Sequence, residues 1–457
     1  MTPRWTAHDL LEATGGTMGA PFAATGVSID TRTIHPGDLF VALRGETSDG
    51  HAFVADAIAK GAAGAMVHHA VPQVSRLLLV DDTLAGLHRL GGYARERFTG
   101  RLVAITGSVG KTTTKEMLRT ILTAFGITHA AVASYNNLWG LPLTLARMPP
   151  DAEFCVAEIG MNHAGEIAPL ARLARPDAAV ITAVEKAHIG FLGSIEAIAD
   201  EKAELLHALE PGGLAVLPAD TPLLSRLLAA VGDARIVTFG EARSADVRLV
   251  DLAMDADGSD VAAEITGQRI AFRLNAPGRH MAMNALAALA AADHLSQAAP
   301  ERVARALEGF APVVGRGTRR TIAVPGGTAL LLDESYNGNP ASMRAALAVL
   351  RLQSAKRRIA VLGDMLELGD SGTAEHRALA PDVAASADHL FACGPLMQAL
   401  HSAVPGAIRA GHALDSASLA PIVARSVAPG DVILIKGSLG SRMKLVVNAL
   451  ESRAEAA

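Results

Sequence analysis

Cysteine is scarce in this chain, with only two residues in 457, Cys155 and Cys393. Both lie in apolar segments, EFCVAEIG and HLFACG, that are typical of buried strands. A framework of several disulfides is therefore excluded, and so few cysteines are typical of a protein that stays in a reducing compartment. We expect a cytoplasmic location.

Long hydrophobic runs are also absent. No apolar run approaches the roughly 18 to 20 residues that a helix needs to cross a bilayer, which excludes a transmembrane helix. The first segment, MTPRWTAHDLLEATGG, places Asp9 and Glu12 among its few apolar residues, so it lacks the continuous core of a signal peptide. We expect neither a membrane span nor export.

Clusters of basic residues are the third absence. The 41 lysines and arginines and the 46 aspartates and glutamates give a formal net charge of -5 at pH 7. Without a basic cluster, the chain has no electrostatic footprint for nucleic acid. The composition therefore favours small or mixed-charge substrates.

The chain does have length and a repeated alternation of strands and helices. At roughly 150 residues per domain, its length predicts about three domains. One alternating series begins near residue 100 and a second near TALLLDES, and each predicts a parallel sheet covered by helices. Between them lie a hairpin pattern with an Asp-Gly turn and an Ala-rich helix. We expect an α/β protein with a small mixed domain at 1–99, a central parallel-sheet domain at 100–312 and a Rossmann-like domain at 313–457.

The stretch AITGSVGKTTTKEM, residues 104–117, indicates a phosphate-binding loop. It ends a strand, turns through two glycines and starts a helix near Lys111, so backbone N–H groups and the helix dipole would face an anion. Lys111 would reach the outer phosphates and Thr112 would hold Mg²⁺. A strict Walker A motif has glycine in place of Ile105, and the loop alone leaves ATPase, GTPase, kinase and ligase open.

Lys202 falls on the apolar side of a helix predicted over residues 194–210. Ser194 is a suitable N-cap, and Lys202 shares a stripe with Ile198 and Leu205. One interpretation is a lysine that snorkels its charge to water. The other is a desolvated amine with a lowered pKa, which carbon dioxide would convert into a carbamate, an anionic oxygen ligand. The periodicity leaves both open.

Glu158 and His188 follow two predicted strands of the central sheet. Open α/β sheets bind ligands beyond the carboxyl ends of their strands, so both side chains are placed for a ligand. A single histidine in such a position is more often a surface or packed residue. Together with Thr112, however, the two predict an oxygen-rich Mg²⁺ site.

The combination of motifs resembles the Mur ligase family, ATP-dependent amide-forming enzymes of peptidoglycan precursor synthesis. The resemblance covers nearly the whole chain and rests on TGSVGKTTTKEM, YNNLWGLPLTL, AEIGMNHAGEI, TAVEKAHIGFLGS, EKAELL, PGRHMAMNALAA, DESYNGNP, VLGDMLELG and IKGS. It implies three domains that hold the UDP substrate, ATP and the amine substrate in that order. In this family a missing first Walker glycine is usual.

The resemblance also implies roles for individual residues. For ATP they are Gly107, Ser108, Val109, Gly110, Lys111, Thr112, Thr113, Asn284, Arg316 and Asp333. For the metal they are Thr112, Glu158, His188 and a carbamylated Lys202. For the UDP substrate they are Ser28, Arg32, Asp49, His51, Asn136 and Asn137, and for the amine substrate Ser335, Tyr336, Asn337 and Asn339. The implied catalytic groups are Lys111, Lys202, His188 and Lys436.

Within the family, three stretches favour the member that joins D-alanyl-D-alanine to UDP-N-acetylmuramoyl-tripeptide. They are SIDTRTIHPGDLFVALRGETSDGHAF, DESYNGNP, and VLGDMLELG followed by IKGS. The resemblance implies ATP and Mg²⁺ as cofactors and a monomer in the cytoplasm. The alternatives are another Mur-type ligase, such as the one that adds the third residue, and a P-loop ATPase of regulatory or transport type.

Overall fold

A computed structural model describes residues 4–45, 48–132 and 134–455 of the chain. In this part of the chain the strands form three separate sheets of five, nine and six strands, each packed against helices. The predicted α/β class with three domains is confirmed. The boundaries near residues 99 and 312 stay predictions.

The first sheet belongs to the N-terminal domain. Its strands are β1 Thr17–Met18, β2 Gly26–Ser28, β3 Asp38–Val41, β4 Gly64–Val67 and β5 Leu77–Leu79. Their order is β1-β5-β4-β3-β2, with β1 antiparallel to β5 and the remaining pairs parallel. The helices are α1 Ala7–Thr14, α2 Val54–Ala59 and α3 Thr83–Arg97. This mixed sheet with its helices agrees with the small mixed α/β domain predicted at the start of the chain.

The second sheet carries the phosphate-binding motif. Its strands are β6 Arg101–Thr106, β7 Thr128–Ala130, β8 Phe154–Glu158, β9 Ala178–Ile181, β10 Leu214–Pro218, β11 Arg235–Gly240, β12 Val247–Met254, β13 Ser259–Ile265 and β14 Gln268–Leu274. They are ordered β14-β13-β12-β11-β10-β9-β6-β8-β7. The sheet is parallel from β7 to β12, but β13 and β14 add antiparallel hairpins at one edge. The predicted hairpin is therefore part of the same sheet, which is mixed rather than purely parallel.

Helices cover both faces of this sheet. They are α4 Lys111–Thr123, α5 Gly140–Ala146, α6 Ile167–Ala174, α7 Ile189–Leu192, α8 Ile195–Ala203, α9 Leu224–Ala229, α10 Arg279–Ser296 and α11 Pro300–Ala306. The Ala-rich α10 is buried along most of its length, because small side chains let the helix lie close to the sheet and to α4. The strands buried on both faces read as continuous apolar runs, as RLVAIT does.

The third sheet forms the C-terminal domain. Its strands are β15 Thr318–Val324, β16 Gly327–Glu334, β17 Arg357–Gly363, β18 His389–Cys393, β19 Arg409–Ala413 and β20 Asp431–Lys436. The order is β15-β16-β20-β17-β18-β19, parallel except for β15. The helices are α12 Pro340–Arg351, α13 Gly372–Arg377, α14 Ala380–Ser386, α15 Met397–Ala403, α16 Ser416–Ser426 and α17 Lys444–Glu455.

The helix that carries Lys202 starts where the sequence predicts but ends earlier. The helix with Lys202 begins after the N-cap Ser194, as predicted, but α8 ends at Ala203 and a short 3₁₀ turn, Leu206–Ala208, follows it. The prediction that this helix continues to residue 210 is therefore wrong.

Cys155 and Cys393 are both buried free thiols in strands. Among the described helices, none is long and apolar enough to span a membrane.

Candidate active site

A cavity of about 900 Å³ lies between the central and C-terminal domains. From the central domain it is lined by the loop before α4, by Glu158 and His188 and by the start of α10. From the C-terminal domain it is lined by the turn after β16 and by Lys436 at the end of β20. The carboxyl ends of parallel strands from two sheets therefore face one enclosed space, as expected for a ligand site in open α/β sheets.

The loop before α4 has the shape of a phosphate cradle, and its two glycines are required. Gly107 and Gly110 have φ angles of +151° and +84°, which other residues rarely adopt. A Cβ atom at Gly107 would collide with the Thr182 hydroxyl, and one at Gly110 with the Asn284 side chain. The Nζ of Lys111 donates to the Gly107 carbonyl at 2.6 Å, and burial lowers the pKa of this amine.

Thr112 and Glu158 meet at the foot of this loop. The Thr112 hydroxyl donates to Glu158 Oε2 at 2.9 Å, and the amide of Asn136 donates to Glu158 Oε1 at 2.7 Å. Ser134 connects the group to the C-terminal domain, since its Oγ lies 3.2 Å from the Thr112 hydroxyl and accepts from Arg316 at 3.0 Å. Three residues named from sequence, Thr112, Glu158 and Asn136, are thus brought into direct contact.

Lys202 is buried, with 1% of its surface exposed. Among the described residues no hydrogen bond or ion pair of its amine is found, and the snorkelling interpretation is therefore wrong. Burial, reinforced by the charge of Lys111, lowers the pKa of Lys202 well below its usual value. A lowered pKa favours the neutral amine, which is the form that reacts with electrophiles.

The C-terminal side of the cavity presents a cation and an aromatic ring. Lys436 is buried, its Nζ donates to the Asn337 carbonyl at 2.9 Å, and burial lowers the pKa of the amine. The Arg316 guanidinium lies 4.0 Å from the ring centroid of Tyr336. Asn339 also lines the cavity, although its side chain caps α12 by accepting from the Ser342 N–H.

Asp333 and Ser335 lie beneath the cavity and are not among its lining residues. The carboxylate of Asp333 is fully buried, where it accepts from the hydroxyl and the backbone N–H of Ser335 and from Arg320. Both side chains therefore shape the turn that carries Tyr336 and Asn337. The substrate contacts expected for them stay predictions.

Four residues named for the UDP substrate lie in the N-terminal domain, away from the cavity lining. Ser28 is buried at the end of β2, and Arg32 forms an exposed ion pair with Asp30. Asp49 caps the short 3₁₀ helix Gly50–Phe53 and accepts from His51. The fifth and sixth, Asn136 and Asn137, do line the cavity, so the structure brings together only part of the expected set.

Sequence reasoning missed Glu367, which joins the two large domains. Its Oε2 lies 2.5 Å from His188 Nδ1, and its carbonyl accepts from the Gly190 N–H at 3.0 Å. Both His188 and Glu367 have positive φ angles, +58° and +67°. A second ion pair, between Lys186 and Glu375 at 2.8 Å, lies beside this contact. The signal for Glu367 in the sequence was the motif VLGDMLELG, which places this acidic residue after a predicted strand.

Models of known families match three successive parts of the chain. Residues 23–79 match "Mur ligase family, catalytic domain", residues 105–292 "Mur ligase middle domain" and residues 318–439 "Mur ligase, glutamate ligase domain". The UDP-N-acetylmuramoyl-tripeptide–D-alanyl-D-alanine ligase of Bacillus subtilis is 34% identical, over 97% of this chain and 98% of its own. The chain belongs to the Mur ligase family. The Escherichia coli ligase of the same name is also 34% identical, over 96% of each chain.

Solved structures agree with this family assignment. MurF from Acinetobacter baumannii superimposes with a TM-score of 0.86 at 31% identity, covering 99% of both chains. MurF from Thermotoga maritima in complex with ADP gives a TM-score of 0.79 at 26% identity, covering 94% of this chain and 98% of the other. As a Mur ligase, the protein is an ATP-dependent, ADP-forming ligase, which confirms the predicted enzyme class.

Proposed function

We propose that this protein joins D-alanyl-D-alanine to UDP-N-acetylmuramoyl-tripeptide, with ATP converted to ADP and phosphate. The product would be the UDP-linked pentapeptide precursor of peptidoglycan. The observation that carries the proposal is one cavity lined both by the phosphate cradle at Lys111 and by Lys436 and Asn337 of the C-terminal domain. The full-length similarity to ligases named for this reaction supports the choice of substrates.

The reaction needs activation of a carboxylate, because its oxygen is a poor leaving group. In the proposed route, a terminal carboxylate oxygen of the tripeptide attacks the γ-phosphorus of ATP, the bond to the β,γ-bridging oxygen breaks, and ADP leaves. The dipeptide amine then forms the amide bond at the acyl carbon, releases phosphate and loses a proton. Lys111 and the N-terminus of α4 would stabilise charge on the transferred group.

Mg²⁺ would bind at the foot of the cradle. The oxygens of Thr112 and Glu158 lie 2.9 Å apart there, and hard cations prefer such oxygen donors, so the residues fit the ion. His188 lines the same cavity and would complete the set. Bound Mg²⁺ would offset the repulsion between the two reacting anions.

Lys202 is proposed to carry a carbamate. Its neutral Nζ would form a bond to the carbon of CO₂ and release one proton, which leaves an anion beside Lys111. Two observations favour this modification: the amine is buried without a hydrogen-bond partner among the described residues, and the nearby charge of Lys111 would be balanced by it. A carbamate oxygen would then be available as a further ligand of the metal.

The domains are proposed to divide the substrates among themselves. The N-terminal domain, residues 1–99, would seat UDP through Ser28, Arg32, Asp49 and His51. The central domain, 100–312, would bind ATP, with Asn284 near adenine, and Arg316 of the C-terminal domain would lie near the ribose and phosphates. The C-terminal domain, 313–457, would bind the dipeptide near Tyr336 and Asn337. We propose a cytoplasmic monomer.

An ADP-release assay tests the function. It uses UDP-N-acetylmuramoyl-tripeptides with lysine or diaminopimelate as third residue, each with and without D-alanyl-D-alanine. We expect rapid ADP release and pentapeptide formation only when both substrates are present. ADP release at the same rate with and without both substrates would contradict the proposal and favour a regulatory or transport ATPase.

A further inference from the structure

Glu334 ends β16 and lines the interdomain cavity, but the sequence predicted no role for it. In the register of two neighbouring parallel strands it is paired with Lys436, the last residue of β20. Lys436 Nζ lies 3.4 Å from Glu334 Oε2, and the two side chains are 4% and 18% exposed. An almost buried lysine therefore has a carboxylate beside it on the next strand.

The ammonium of Lys436 has three N–H donors, and the structure engages two of them. One donates to the Asn337 carbonyl at 2.9 Å, and another points to Glu334. Among the described residues no further hydrogen bond of this amine is found. The two contacts fix the lysine between the end of β20 and the turn after β16, and they leave one N–H for a ligand in the cavity.

Glu334 favours the charged form of Lys436. Burial lowers the pKa of the Lys436 amine, Glu334 acts against this shift, and the charge of Arg316 lowers the pKa further. His280, at the start of α10, is the other titratable group that Lys436 and Glu334 affect. Burial lowers the pKa of this ring, so His280 is neutral above about pH 7 and does not replace the charge of the lysine.

We propose that Glu334 is a positioning residue, which keeps Lys436 charged and holds its ammonium towards the phosphoryl group that is transferred. This inference rests on the proposed ligase function, in which Lys436 is a catalytic group. A fixed cation at that place would stabilise the charge that develops during phosphoryl transfer. Without the carboxylate, the buried amine would lose its proton at a lower pH.

The pH dependence of turnover tests this inference in the full-length protein. Glu334→Gln keeps the shape of the side chain and one acceptor oxygen, but it removes the charge. ADP release is measured as kcat/KM for ATP between about pH 6 and pH 10, with both other substrates saturating. We expect the alkaline limb of Glu334→Gln to lie about 1–3 pH units below that of the parent, so that its activity recovers as the pH falls.

Two further variants define the interpretation. Glu334→Asp keeps the negative charge, and its alkaline limb should lie closer to that of the parent than the limb of Glu334→Gln does. Glu451→Gln is the matched control, because Glu451 is an ion-paired acid of the same domain that does not line the cavity. Its pH profile should coincide with that of the parent. Thermal unfolding at the same pH values checks that each variant is folded.

Two results would overturn the inference. One is a Glu334→Gln profile that is lowered equally at every pH, which indicates only a structural role. The other is an alkaline limb that coincides with that of the parent, or a Glu334→Asp limb that lies below the limb of Glu334→Gln. A parent that forms the pentapeptide while Glu334→Gln shows no shift refutes this inference alone, whereas a parent without substrate-dependent ADP release refutes the ligase proposal.

Discussion

At the scale of single residues, the central domain has two neighbouring lysines with lowered pKa values, Lys202, which is buried, and Lys111, which is half-buried. Lys111 and Lys202 are close enough for the charge of the first to lower the pKa of the second, and burial acts on both in the same direction. Lys111 has Glu158 as a compensating charge. Lys202 has Glu201, whose charge acts against the lowering of its pKa, but no hydrogen bond or ion pair of its amine is found among the described residues.

Lys111→Ala should reduce ADP release at saturating substrates by about 100- to 1,000-fold, because it removes the cation that we propose to act on the transferred phosphoryl group. The matched control is Lys356→Ala, which removes an exposed lysine that is not among the cavity-lining residues. It should be as active as the unmodified protein. Turnover of Lys111→Ala within about threefold of the parent would refute the assigned phosphate cradle.

Lys202→Met should abolish turnover and yet raise the thermal midpoint in bicarbonate-free buffer. The pKa of Lys202 is lower in the folded state than in the unfolded chain, so the unfolded chain binds a proton at a pH where the folded state does not. Lys202 therefore destabilises the folded state, and this destabilisation grows as the pH falls towards the lowered pKa. Calorimetry at pH 9 and pH 6 should therefore show that Lys202→Met raises the thermal midpoint more at pH 6 than at pH 9.

Lys202→Ala provides the functional counterpart. A small carboxylate added to the assay should restore part of its activity, because it would replace the carbamate oxygens. Lys356→Met, the exposed control, should show no pH-dependent gain in midpoint. A Lys202→Ala enzyme that is fully active without bicarbonate would remove the carbamate hypothesis.

At the scale of elements, the position of α8 depends on an acid next to Lys202. Glu201 is buried, and its two carboxylate oxygens accept the backbone N–H groups of Gly165 and Ile167 at 2.7 Å and 2.9 Å. These groups belong to the N-terminus of α6, where a negative charge is favourable. The contact fixes the rotation of α8 and directs Lys202 into the interior.

Glu201→Gln should lower the free energy of unfolding of the central domain by about 1.5–3 kcal/mol, because charged hydrogen bonds at a helix N-terminus are weakened. Thermal unfolding of the full chain measures the change as a lower midpoint of the domain's transition. Glu204→Gln, one turn later and half-buried, is the control and should shift the midpoint little. Equal shifts in the two variants would exclude a specific role for Glu201.

At the scale of the whole molecule, the contact between His188 and Glu367 links the chemistry to the arrangement of domains. His188, an expected metal ligand of the central domain, has its Nδ1 2.5 Å from Glu367 Oε2 of the C-terminal domain, although the two atoms are not aligned as a hydrogen bond. The two side chains are close only when the two domains are docked as in this structure.

Glu367→Gln should reduce activity about 10–100-fold and increase the radius of gyration of the free protein in small-angle X-ray scattering. Glu375→Gln is the matched control, since it removes the neighbouring interdomain ion pair, whose Lys186 side chain is 52% exposed. The Glu375 side chain is 15% exposed, but the pair includes none of the proposed metal ligands, so we expect less than about a threefold change in activity. If the two variants change activity and the radius of gyration equally, Glu367 contributes only to the docking of the domains.

Much of the site could be predicted from the sequence. The glycine turn, the strand before it and the helix after it are local, and all three are found at the predicted residues. The apolar stripe that buries Lys202 follows from helical periodicity within one element. The termination of α8 at Ala203 was not predictable, because no glycine or proline occurs within residues 194–210 to signal it.

Local spacing and motifs read in order were enough to predict three α/β domains, the glycine turn between β6 and α4, and the family. Contacts between side chains of distant segments, in contrast, depend on tertiary packing. Glu367 reaches His188 and Arg320 neutralises Asp333 only because sheets and turns bring distant segments together. Such contacts leave no periodic pattern in a single sequence, because their partners are chosen by the packing of whole domains.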